Sequence, residues 1–556
     1  MKIVLTFTFV TLFISLSPAQ KPVFEWMRTA QGSSWDEASA IACDNSGNSI
    51  ATGYFEGSFN IGDSTFNTGT YADIFLIKHN SEGALEWAKQ FSCERGAHGN
   101  SVLLDEKGNS ILTGVFSDSV RINNHKYYGY LSQTGFIAKF DPDGNIVWFN
   151  MMDGEDGYIW PADMVFLSTG NIVCSGTYHG TVTIGDSVIT TDDDGTFLVQ
   201  YSPTGEFIKL IEPCTGTIND VDLLGIASDN MDNIFIGGNF LETLTFPDTG
   251  ITSKGYHDIF IAKFDNQGNF LWARQEGGNY SDLGIDVASD QQGNAVITGY
   301  FSGSVTIGDT TVTALGSEEI IIIKYDPEGR LLWVRTAGGN VQMALDEANG
   351  IAADNNGNFF LTGCFEGSAS FGDTTLISSG STDLFCTKYD PDGNCVWAAK
   401  VGGSGEEWGD DIAINSQGDI YLTGWYTSTI TFGDTIITGT DRTDVCVIKL
   451  SETEISSINK KPNYVNQFKL HQNYPNPFNP VTDIRYQVGA NNHSPVHVEL
   501  CVYNILGQKV ALLVSERQQL GQHQVQWDAA GFPSGIYYYQ LVAGEYRAVK
   551  KMILIK

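Results

Sequence analysis

Acidic side chains recur at one point of a repeated pattern, and they are the residues of this chain best suited to chemistry. Each lies five residues before a short apolar segment that we predict to be the innermost strand of its repeat. The acids are Asp36, Asp282, Asp346 and Glu407, and one further copy carries Asp220 and Asp222. Carboxylates that meet at one surface can bind a cation or polar ligand, or pair for glycosyl chemistry. Carboxylates at repeated positions also cap turns by accepting backbone N–H groups, and we favour this structural role.

Large side chains in the same segments differ from copy to copy. They are Trp35, His98, Trp160 and Trp408. The repeat itself does not require these residues, so we predict that they contact a ligand. Aromatic rings provide flat apolar faces of the kind that pack against sugars.

Motifs of known enzymes and metal sites are absent from the sequence. There is no Gly-x-Ser-x-Gly, no His-Glu-x-x-His and no phosphate-binding loop, and the nine histidines lack ligand spacing. Asp141–Asn145 and Asp390–Asn394 share the sequence Asp-Pro-Asp-Gly-Asn, whose oxygens would suit Ca²⁺. Proline and glycine in that order are typical of a hairpin turn, and the spacing differs from an EF-hand and from the Asp box of sialidases. We therefore predict turns, no catalytic residue, no metal and no cofactor.

Charge and cysteine content exclude several classes of partner and fold. The net charge is −34, with about +3 after residue 466 and −37 before it. So acidic a surface repels phosphate backbones and anionic lipids, which argues against nucleic-acid and membrane-surface binding. The nine cysteines are scattered and predict no disulfide framework. Cys386 and Cys395 flank one predicted hairpin and are the one pair that we consider for a bridge.

Internal repetition indicates the elements that position these side chains. A turn glycine recurs at intervals of 61 to 64 residues, with Asp232 in its place in the fourth copy. The glycines are Gly47, Gly108, Gly170, Gly293, Gly357 and Gly418. Each copy predicts four strands, because apolar, β-branched and aromatic residues alternate with polar ones between Asp/Asn/Gly turns. An additional hairpin is predicted between the second and third strands of the copy.

The two ends of the repeat array predict that it closes on itself. The fourth strand carries a tryptophan in most copies, whereas the seventh copy stops after its third strand near Leu450. Phe24–Trp26 has the pattern of a fourth strand with no copy before it. A strand from the N-terminal end that completes the last copy would leave no open edge. The sequence therefore predicts an all-β fold: a seven-bladed β-propeller closed by the N-terminal strand.

The repeat unit resembles a known bacterial family. Its Asp-x-x-Gly-Asn…Thr-Gly segment, followed by Lys-x-Asp-x-x-Gly-x-x-x-Trp, is similar to the SBBP β-propeller repeat over about residues 23–450. The third copy departs most, with Leu167 for the turn aspartate and Gln200 for the lysine. The resemblance implies an architecture and no particular reaction.

The N-terminal segment has the features of an export signal. Lys2 precedes an apolar run from Ile3 to Leu16, and Ser17-Pro18-Ala19 supplies the small residues that precede a cleavage site. The apolar run is short for a membrane span. We predict a signal peptide at 1–19, the propeller at 20–450 and a polar linker at 451–466, with no membrane span after the signal is removed.

Residues 467–556 contain short alternating segments separated by turns, enough for a small Ig-like β-sandwich. Their order resembles the type A C-terminal sorting domain of the type IX secretion system. The positions that carry the resemblance are Tyr474, Pro475, Pro477, Gly507, the Trp527-Asp528 pair, Gly535, Lys550 and Lys551. The resemblance implies recognition by the type IX machinery. It also implies passage to the exterior or the outer-membrane surface of a Gram-negative bacterium.

Two functions of different class follow from these observations. The first is a monomeric, non-catalytic binding or adhesion scaffold for a glycan or a protein. The second is a secreted carboxylate-dependent hydrolase or lyase that acts on an extracellular polysaccharide. We favour the first, because the sequence is dominated by the repeat and lacks catalytic spacing.

Overall fold

A computed structural model describes residues 22–452, 469–470, 473, 476–488, 496–518, 521–543 and 546–555. Within these ranges it leaves out 131–132, 155–156, 217–220, 340, 342–344, 434 and 441. The chain forms two units, Met1–Glu454 and Ile455–Lys556. The described residues form antiparallel strands and contain no helix, so the fold is all-β as the sequence predicts. Across these residues no helix is long and apolar enough to span a membrane.

Each copy of the repeat folds into a four-stranded antiparallel sheet. Sheet 1 consists of Asp36–Cys43, Ser49–Phe55, Asp73–His79 and Leu85–Cys93. Sheet 2 consists of Ala97–Leu104, Ser110–Phe116, Thr134–Phe140 and Ile146–Asp153. Sheet 3 consists of Tyr158–Phe166, Ile172–Ile184, Ser187–Tyr201 and Phe207–Ile211. Sheet 4 consists of Val221–Ser228, Ile234–Phe240, Asp258–Phe264 and Phe270–Glu276. Sheet 5 consists of Leu283–Ser289, Ala295–Phe301, Glu319–Tyr325 and Leu331–Ala337. Sheet 6 consists of Glu347–Ala353, Phe359–Phe371, Thr374–Tyr389 and Cys395–Gly403. Sheet 7 consists of Glu407–Ile414, Asp419–Tyr426, Asp444–Glu452 and Pro22–Gly32.

The predicted additional hairpin is present between the second and third strands. In sheets 3 and 6 it continues from those long strands, and elsewhere it is separate: Ser58–Ile61 with Ser64–Asn67, Ser119–Ile122 with His125–Tyr128, Thr243–Phe246 with Thr249–Thr252, Ser304–Ile307 with Thr310–Thr313, and Thr429–Phe432 with Thr435–Thr438. Several of these hairpins pair with the preceding sheet, as Ile430 and Thr431 do with Gly403 and Gly402. The short strand Thr215–Gly216 makes such a link between sheets 3 and 4.

The Asp-x-x-Gly-Asn segment forms the turn between the first two strands. In sheet 5, Asp290 Oδ1 accepts the backbone N–H groups of Gln292 and Asn294 at 3.0 and 2.9 Å. Gly293 has a φ of 78°, which glycine adopts without a steric penalty. Asp290 Oδ2 accepts from Lys324 Nζ at 3.0 Å, and both side chains are buried. The lysine of the third strand is therefore the counter-ion of the turn aspartate.

Sheet 7 is completed by the segment at the start of the described chain. Pro22–Gly32 pairs antiparallel with Asp444–Glu452 and places Trp26 opposite Lys449. Met27 packs in an apolar cluster with residues of sheets 6 and 7, including Leu384 and Ile448. This is the pairing that the fourth-strand pattern at Phe24–Trp26 predicts.

Tryptophans of the fourth strands link six of the seven sheets to the next; the fourth strand of sheet 3 has none. Trp87 Nε1 donates to Pro142 O at 2.8 Å, and Trp272 Nε1 donates to Pro327 O at 3.0 Å. Trp26 does the same between sheets 7 and 1, donating to Ser81 O at 3.2 Å. A Cβ on Gly83 would lie 2.6 Å from the Trp26 ring, so only glycine permits this contact.

The first strands of successive sheets are neighbours. Those of sheets 1 and 2 are in contact, as are those of each later pair, and the first strand of sheet 7 contacts that of sheet 1. The sheets bury apolar side chains between them in separate layers; Ile297, Ile321 and Tyr325 belong to one of these. The seven first strands therefore lie side by side in a closed series.

The end of the first unit differs from the predicted boundary at residue 450. Ser451 and Glu452 belong to the third strand of sheet 7. Glu452 accepts from Trp397 Nε1 at 2.7 Å and from Lys388 Nζ at 2.6 Å. It thus takes the place of the turn carbonyl that receives the tryptophan in other sheets. The rest of the predicted linker and the predicted signal peptide lie outside the described residues.

The second unit contains two antiparallel sheets with a shared apolar core. One consists of Lys469–Leu470, Val481–Val488 and Gly521–Asp528; the other consists of Lys509–Gln518, Val496–Asn504, Gly535–Ala543 and Tyr546–Leu554. Trp527 is 3% exposed and packs against Phe478 and Tyr537 at centroid distances of 5.6 and 5.4 Å.

The nine cysteine thiols are all free. Cys386 and Cys395 therefore form no bridge. Cys395 Sγ lies 3.5 Å from Thr387 Oγ1, and Cys386 is buried.

Candidate functional site

A β-bulge interrupts the first strand of every sheet. Each bulge leaves one residue without a partner on the second strand: Ser39, Asn100, Ala162, Leu224, Ile285, Asn349 and Asp410. Bulges redirect side chains and are frequent beside functional sites. We call the residues two positions before the bulge the rim. They are Glu37, His98, Trp160, Asp222, Leu283, Glu347 and Trp408.

Of the predicted acids, Asp222 belongs to the rim and Asp220 lies outside the described residues. The other four, Asp36, Asp282, Asp346 and Glu407, lie one position before the rim and are buried. Asp282 accepts backbone N–H groups from Gly278 and Ser302 at 2.7 and 3.0 Å. Asp346 accepts from Gly339 and Glu366 at 2.9 and 3.1 Å. These carboxylates therefore hold the loop before the first strand against the end of the second.

Asp36 and Glu407 also accept backbone N–H groups, but one oxygen of each is buried without a partner. Asp36 accepts from the N–H of Glu56 at 3.1 Å, and Glu407 accepts from that of Gly403 at 2.7 Å. Burial raises the pKa of both carboxyls to about 8 and that of Asp282 and Asp346 to about 6. The ordinary value is near 4, so these groups retain protons that exposed carboxyls lose.

The rim residues project toward the opposite side of the strand, because consecutive side chains of a strand alternate in direction. Trp160 and Trp408, which the sequence predicts as ligand contacts, are both rim residues and are half-buried. Asp222 is an exposed rim residue. Trp35 lies apart from them: it is 48% exposed, and the Arg442 guanidinium is 5.7 Å from its ring centroid.

Aromatic side chains form an arc across sheets 7, 1, 2 and 3. Trp408 stacks on Trp425 with ring centroids 5.5 Å apart and an interplanar angle of 13°. Tyr54 lies 4.4 Å from His98, which is 6.2 Å from Trp160. We call these five residues the aromatic arc. Burial lowers the pKa of His98, which favours its neutral form.

Carboxylates accompany the aromatic arc. The Tyr54 hydroxyl hydrogen-bonds to Glu37, and burial raises the pKa of Glu37. On sheets 5 and 6, Glu318 hydrogen-bonds to Glu347, and burial together with the Glu318 charge raises the pKa of Glu347 to about 7. The rim is therefore both aromatic and acidic.

Three aspartates lie deeper, directly after the bulge, in sheets 3, 5 and 7. Each accepts a backbone N–H from the neighbouring sheet, with sheet 1 next to sheet 7. The donors to Asp163, Asp286 and Asp411 are Ile226, Ile351 and Ile41, at 3.2, 2.8 and 2.8 Å. Their charges repel one another, and burial raises the pKa of all three. In the following sheets the same position is Gly225, Gly350 or Ala40. A Cβ on Gly350 would lie 2.9 Å from Asp411 Cα, so close packing of neighbouring strands requires a small residue there.

The Asp-Pro-Asp-Gly-Asn segments use their carboxylates within the turn. Asp141 Oδ1 accepts from the N–H groups of Asp143 and Asn145 at 3.0 and 2.8 Å, and Oδ2 accepts from Asn145 Nδ2 at 3.0 Å. Asp390 makes the same three hydrogen bonds. Across the part of the chain that the structure describes, no group of three or more His, Cys, Asp or Glu side chains could hold a metal ion.

The sequence predicts Trp160, Trp408 and His98 as ligand contacts. It gave no such prediction for Tyr54, Trp425, Glu37 or Asp410. Tyr54 and Trp425 lie on second strands, opposite rim residues. Each directly follows the Thr-Gly pair of its repeat, at Thr52-Gly53 and Thr423-Gly424. That position is a signal in the sequence, because the residue after this glycine pairs with a rim residue. Glu37 follows the predicted acid directly, and strand alternation could have separated the two.

Comparison with curated proteins finds a WD repeat-containing protein and a regulatory protein. The chain is 25% identical over 459 residues to an uncharacterized WD repeat-containing protein, L264, of Acanthamoeba polyphaga mimivirus, which covers 72% of this chain and 30% of the viral protein. It is 24% identical over 232 residues to the regulatory protein FlaEY of Caulobacter vibrioides, covering 40% of this chain and 22% of that protein. The chain thus spans less than a third of the length of these relatives.

Among solved structures, a member of the DUF4221 family from Bacteroides vulgatus aligns with 62% of this chain and 93% of its own. The identity is 8% and the TM-score is 0.25, which is too low to establish a shared fold.

The second unit matches a known protein family. The family model described as "Secretion system C-terminal sorting domain" matches residues 472–556. Of the positions that carry the resemblance, Tyr474 and Pro475 lie outside the described residues. Trp527 is in the core of the unit, Gly507 forms a turn with a φ of 75°, and Lys551 is exposed. Residues 472–556 are therefore a sorting domain of the type IX secretion system. Such a domain directs export toward the cell surface.

Proposed function

We propose that this protein is an exported seven-bladed β-propeller that binds a glycan at its rim without breaking it down. The seven sheets would be the blades, as in the SBBP repeat family, and their first strands would surround a central channel. The pairing of Pro22–Gly32 with Asp444–Glu452 supports closure, because it supplies the fourth strand that the last repeat lacks.

The observation that carries the binding function is the aromatic arc. The stacked Trp408–Trp425 pair and the Tyr54–His98–Trp160 series are half-buried, so each offers a partly open ring face. Ligand sites combine such apolar faces with a few polar groups that fix orientation. Here the polar groups are carboxylates, which accept hydrogen bonds from sugar hydroxyls.

Export follows from the sorting domain. We propose that the type IX machinery recognises residues 467–556, which form an Ig-like domain. The machinery then carries the propeller to the outer surface of a Gram-negative bacterium. The strongly acidic first unit suits an extracellular surface, where net charge keeps a protein soluble. A monomer with its rim open to solvent fits this placement.

A glycan array probed with the full chain tests the proposal. We expect binding to oligosaccharides that is lost in Trp408→Ala and weakened in Trp160→Ala. Tyr128→Ala is the matched control, since Tyr128 is 69% exposed on an outer hairpin and should leave binding unchanged. A folded chain that binds no glycan, or equal binding by Trp408→Ala and the wild type, would refute the function.

One observation favours the second candidate, a carboxylate-dependent hydrolase or lyase. Glu347 and Glu318 form a carboxyl pair in which Glu347 has a pKa of about 7, as a general acid requires. Asp346 and Glu407 are less suited, because backbone N–H groups occupy them. Turnover of a bound polysaccharide that is abolished in Glu347→Gln would establish this alternative.

A further inference from the structure

The bulge of sheet 7 holds a carboxylate where sheets 2 and 6 hold an amide. Asn100 Nδ2 donates to Pro161 O at 2.6 Å, and Asn349 Nδ2 donates to Gly409 O at 3.1 Å. Each asparagine thereby links its sheet to the backbone of the next. Asp410 occupies this position in sheet 7, and an ionised carboxylate has no proton to donate. An ionised Asp410 therefore cannot make the hydrogen bond to the next sheet that Asn100 and Asn349 make.

One oxygen of the Asp410 carboxylate also lacks a hydrogen-bond partner. Its Oδ2 atom is buried, and no described residue bonds to it. The charged groups that act on it most strongly are Glu37 and Asp411, which are both acidic. Burial and these two charges hold the pKa of Asp410 well above its usual value, so the carboxyl ionises only with a positive charge beside it. An unpaired buried carboxylate is costly, and a cation beside it would remove that cost.

Two further polar side chains at rim level lack partners. Trp408 Nε1 is buried and unpaired, and so are both amide atoms of Asn239, which is 1% exposed and lies opposite the rim residue Asp222. Buried polar groups are normally satisfied by protein, water or a bound ligand. Asn239 lies on sheet 4, away from Asp410, whereas Trp408 shares a strand with Asp410. The unpaired Trp408 Nε1 therefore points independently to a polar occupant of the rim at sheet 7.

The aromatic arc adds a second attraction for positive charge. Trp408 lies two residues before Asp410 and stacks on Trp425, and Tyr54 interacts electrostatically with Asp410. Ammonium groups bind over the faces of tryptophan and tyrosine. Asp410 also interacts electrostatically with the thiols of Cys364 and Cys446, neither of which carries a positive charge.

We infer that the glycan bound at the rim carries a free ammonium group, and that this group docks beside Asp410 and Glu37 against the aromatic arc. This inference rests on the proposed function and narrows its ligand to glycans with an unacetylated amino sugar. Asp410 supplies the charge, and Trp408 with Tyr54 supplies ring faces. The bulge in sheet 7 places the carboxylate within the rim.

Calorimetric titration of the full chain with two sugars tests this inference. The probes are the glucosamine hexasaccharide and its N-acetylated counterpart, at a pH where the free amine is charged. We expect tighter binding of the charged sugar, and a loss of about tenfold or more in Asp410→Asn. The neutral sugar should bind Asp410→Asn and wild type alike. Asp309→Asn is the matched control, because Asp309 is an exposed turn residue on an outer hairpin.

The outcomes separate the two proposals. Equal binding of both sugars, with no effect of Asp410→Asn, overturns the ammonium inference and leaves glycan binding intact. Equal losses in Asp410→Asn and Asp309→Asn would show a general charge effect and also overturn it. Binding of neither sugar overturns both proposals. If tetralysine binds as tightly as the charged sugar, the rim recognises protein side chains, and the assignment to a glycan is wrong.

Asp410→Asn also has a readout in stability that guards against misfolding. The asparagine can donate to the next sheet as Asn100 and Asn349 do, so the variant should be at least as stable as the wild type. A destabilised variant with weakened binding of both sugars would indicate a structural role for Asp410 and overturn the inference.

Discussion

Replacement of Trp26 tests how the first unit closes. Trp26 is 8% exposed, lies 5.8 Å from His79 and 6.2 Å from Tyr421, and donates to Ser81 O. It therefore contacts sheet 1 as well as its own sheet. Truncation of a buried tryptophan to alanine costs about 3–5 kcal/mol. The loss in Trp26→Ala should fall on the contact between Pro22–Gly32 and the rest of the unit.

The consequence is local opening of the last sheet. When Pro22–Gly32 detaches, the backbone groups of Asp444–Glu452 lose one row of hydrogen bonds. A loss of about 4 kcal/mol corresponds to an increase of about a thousandfold in the open population, since 1.4 kcal/mol is tenfold. Hydrogen exchange followed by mass spectrometry measures this for peptides that cover Asp444–Glu452.

Trp272→Ala is the matched control. Trp272 is 7% exposed, donates to Pro327 O at 3.0 Å and packs under Arg274 at 5.5 Å, so the chemistry removed is the same. Its strand is continuous in sequence with the rest of sheet 4. We expect a similar overall destabilisation without selective exchange in Asp444–Glu452. Unchanged protection of that strand in Trp26→Ala, or equal exposure of it in both variants, would refute closure by the N-terminal strand.

Three further predictions concern charge and export. Lys324→Met should lower the free energy of unfolding by about 3–5 kcal/mol, because it leaves a buried carboxylate without its counter-ion. Arg330→Ala removes an exposed ion pair of the same sheet and should cost less than about 1 kcal/mol, so equal effects in urea titrations would contradict this account. Burial raises the pKa of Asp36 and Glu407 to about 8 in the folded state, so their stabilising contribution is complete below about pH 4 and is lost as pH rises through about 8. Asp36→Asn should flatten the decline of stability over that interval, and an unchanged pH profile would argue against a retained proton. Trp527→Ala should unfold the sorting domain and reduce the amount of protein at the cell surface, measured by immunoblotting of surface fractions; normal export of this variant would show that the domain's core is dispensable.

Much of the fold can be predicted from the sequence because each sheet is encoded locally. The turn chemistry of Asp290–Asn294 and the alternation in the flanking strands are contained within one repeat. The period of the repeats predicts how many sheets form. The unmatched strand around Trp26 predicts the pairing with Asp444–Glu452, although these segments are separated by more than 400 residues.

The candidate site could be predicted only in part. Trp160 and Trp408 stand out because the repeat does not require them. Asp36 and Glu407 have the residue type and repetition expected of a site, yet they bind backbone N–H groups in the interior. Direction along a strand alternates at each residue, and a bulge reverses the alternation. Sequence spacing that does not locate the bulge therefore cannot tell an inward-facing acid from its neighbour on the rim.

Seven copies of a four-stranded unit, a displaced fourth strand and a C-terminal sorting domain can all be recognised in the amino-acid sequence. Those features depend on contacts within one repeat or on motifs that are contiguous in the chain. Which side chains meet at the rim depends on the tertiary structure, because they come from different sheets. Trp408, Glu37 and His98 belong to three different sheets. Asp410 lacks the side-chain amide with which Asn100 and Asn349 donate to a carbonyl of the next sheet. Their chemistry arises between repeats, where packing of neighbouring first strands sets distances that no single repeat specifies.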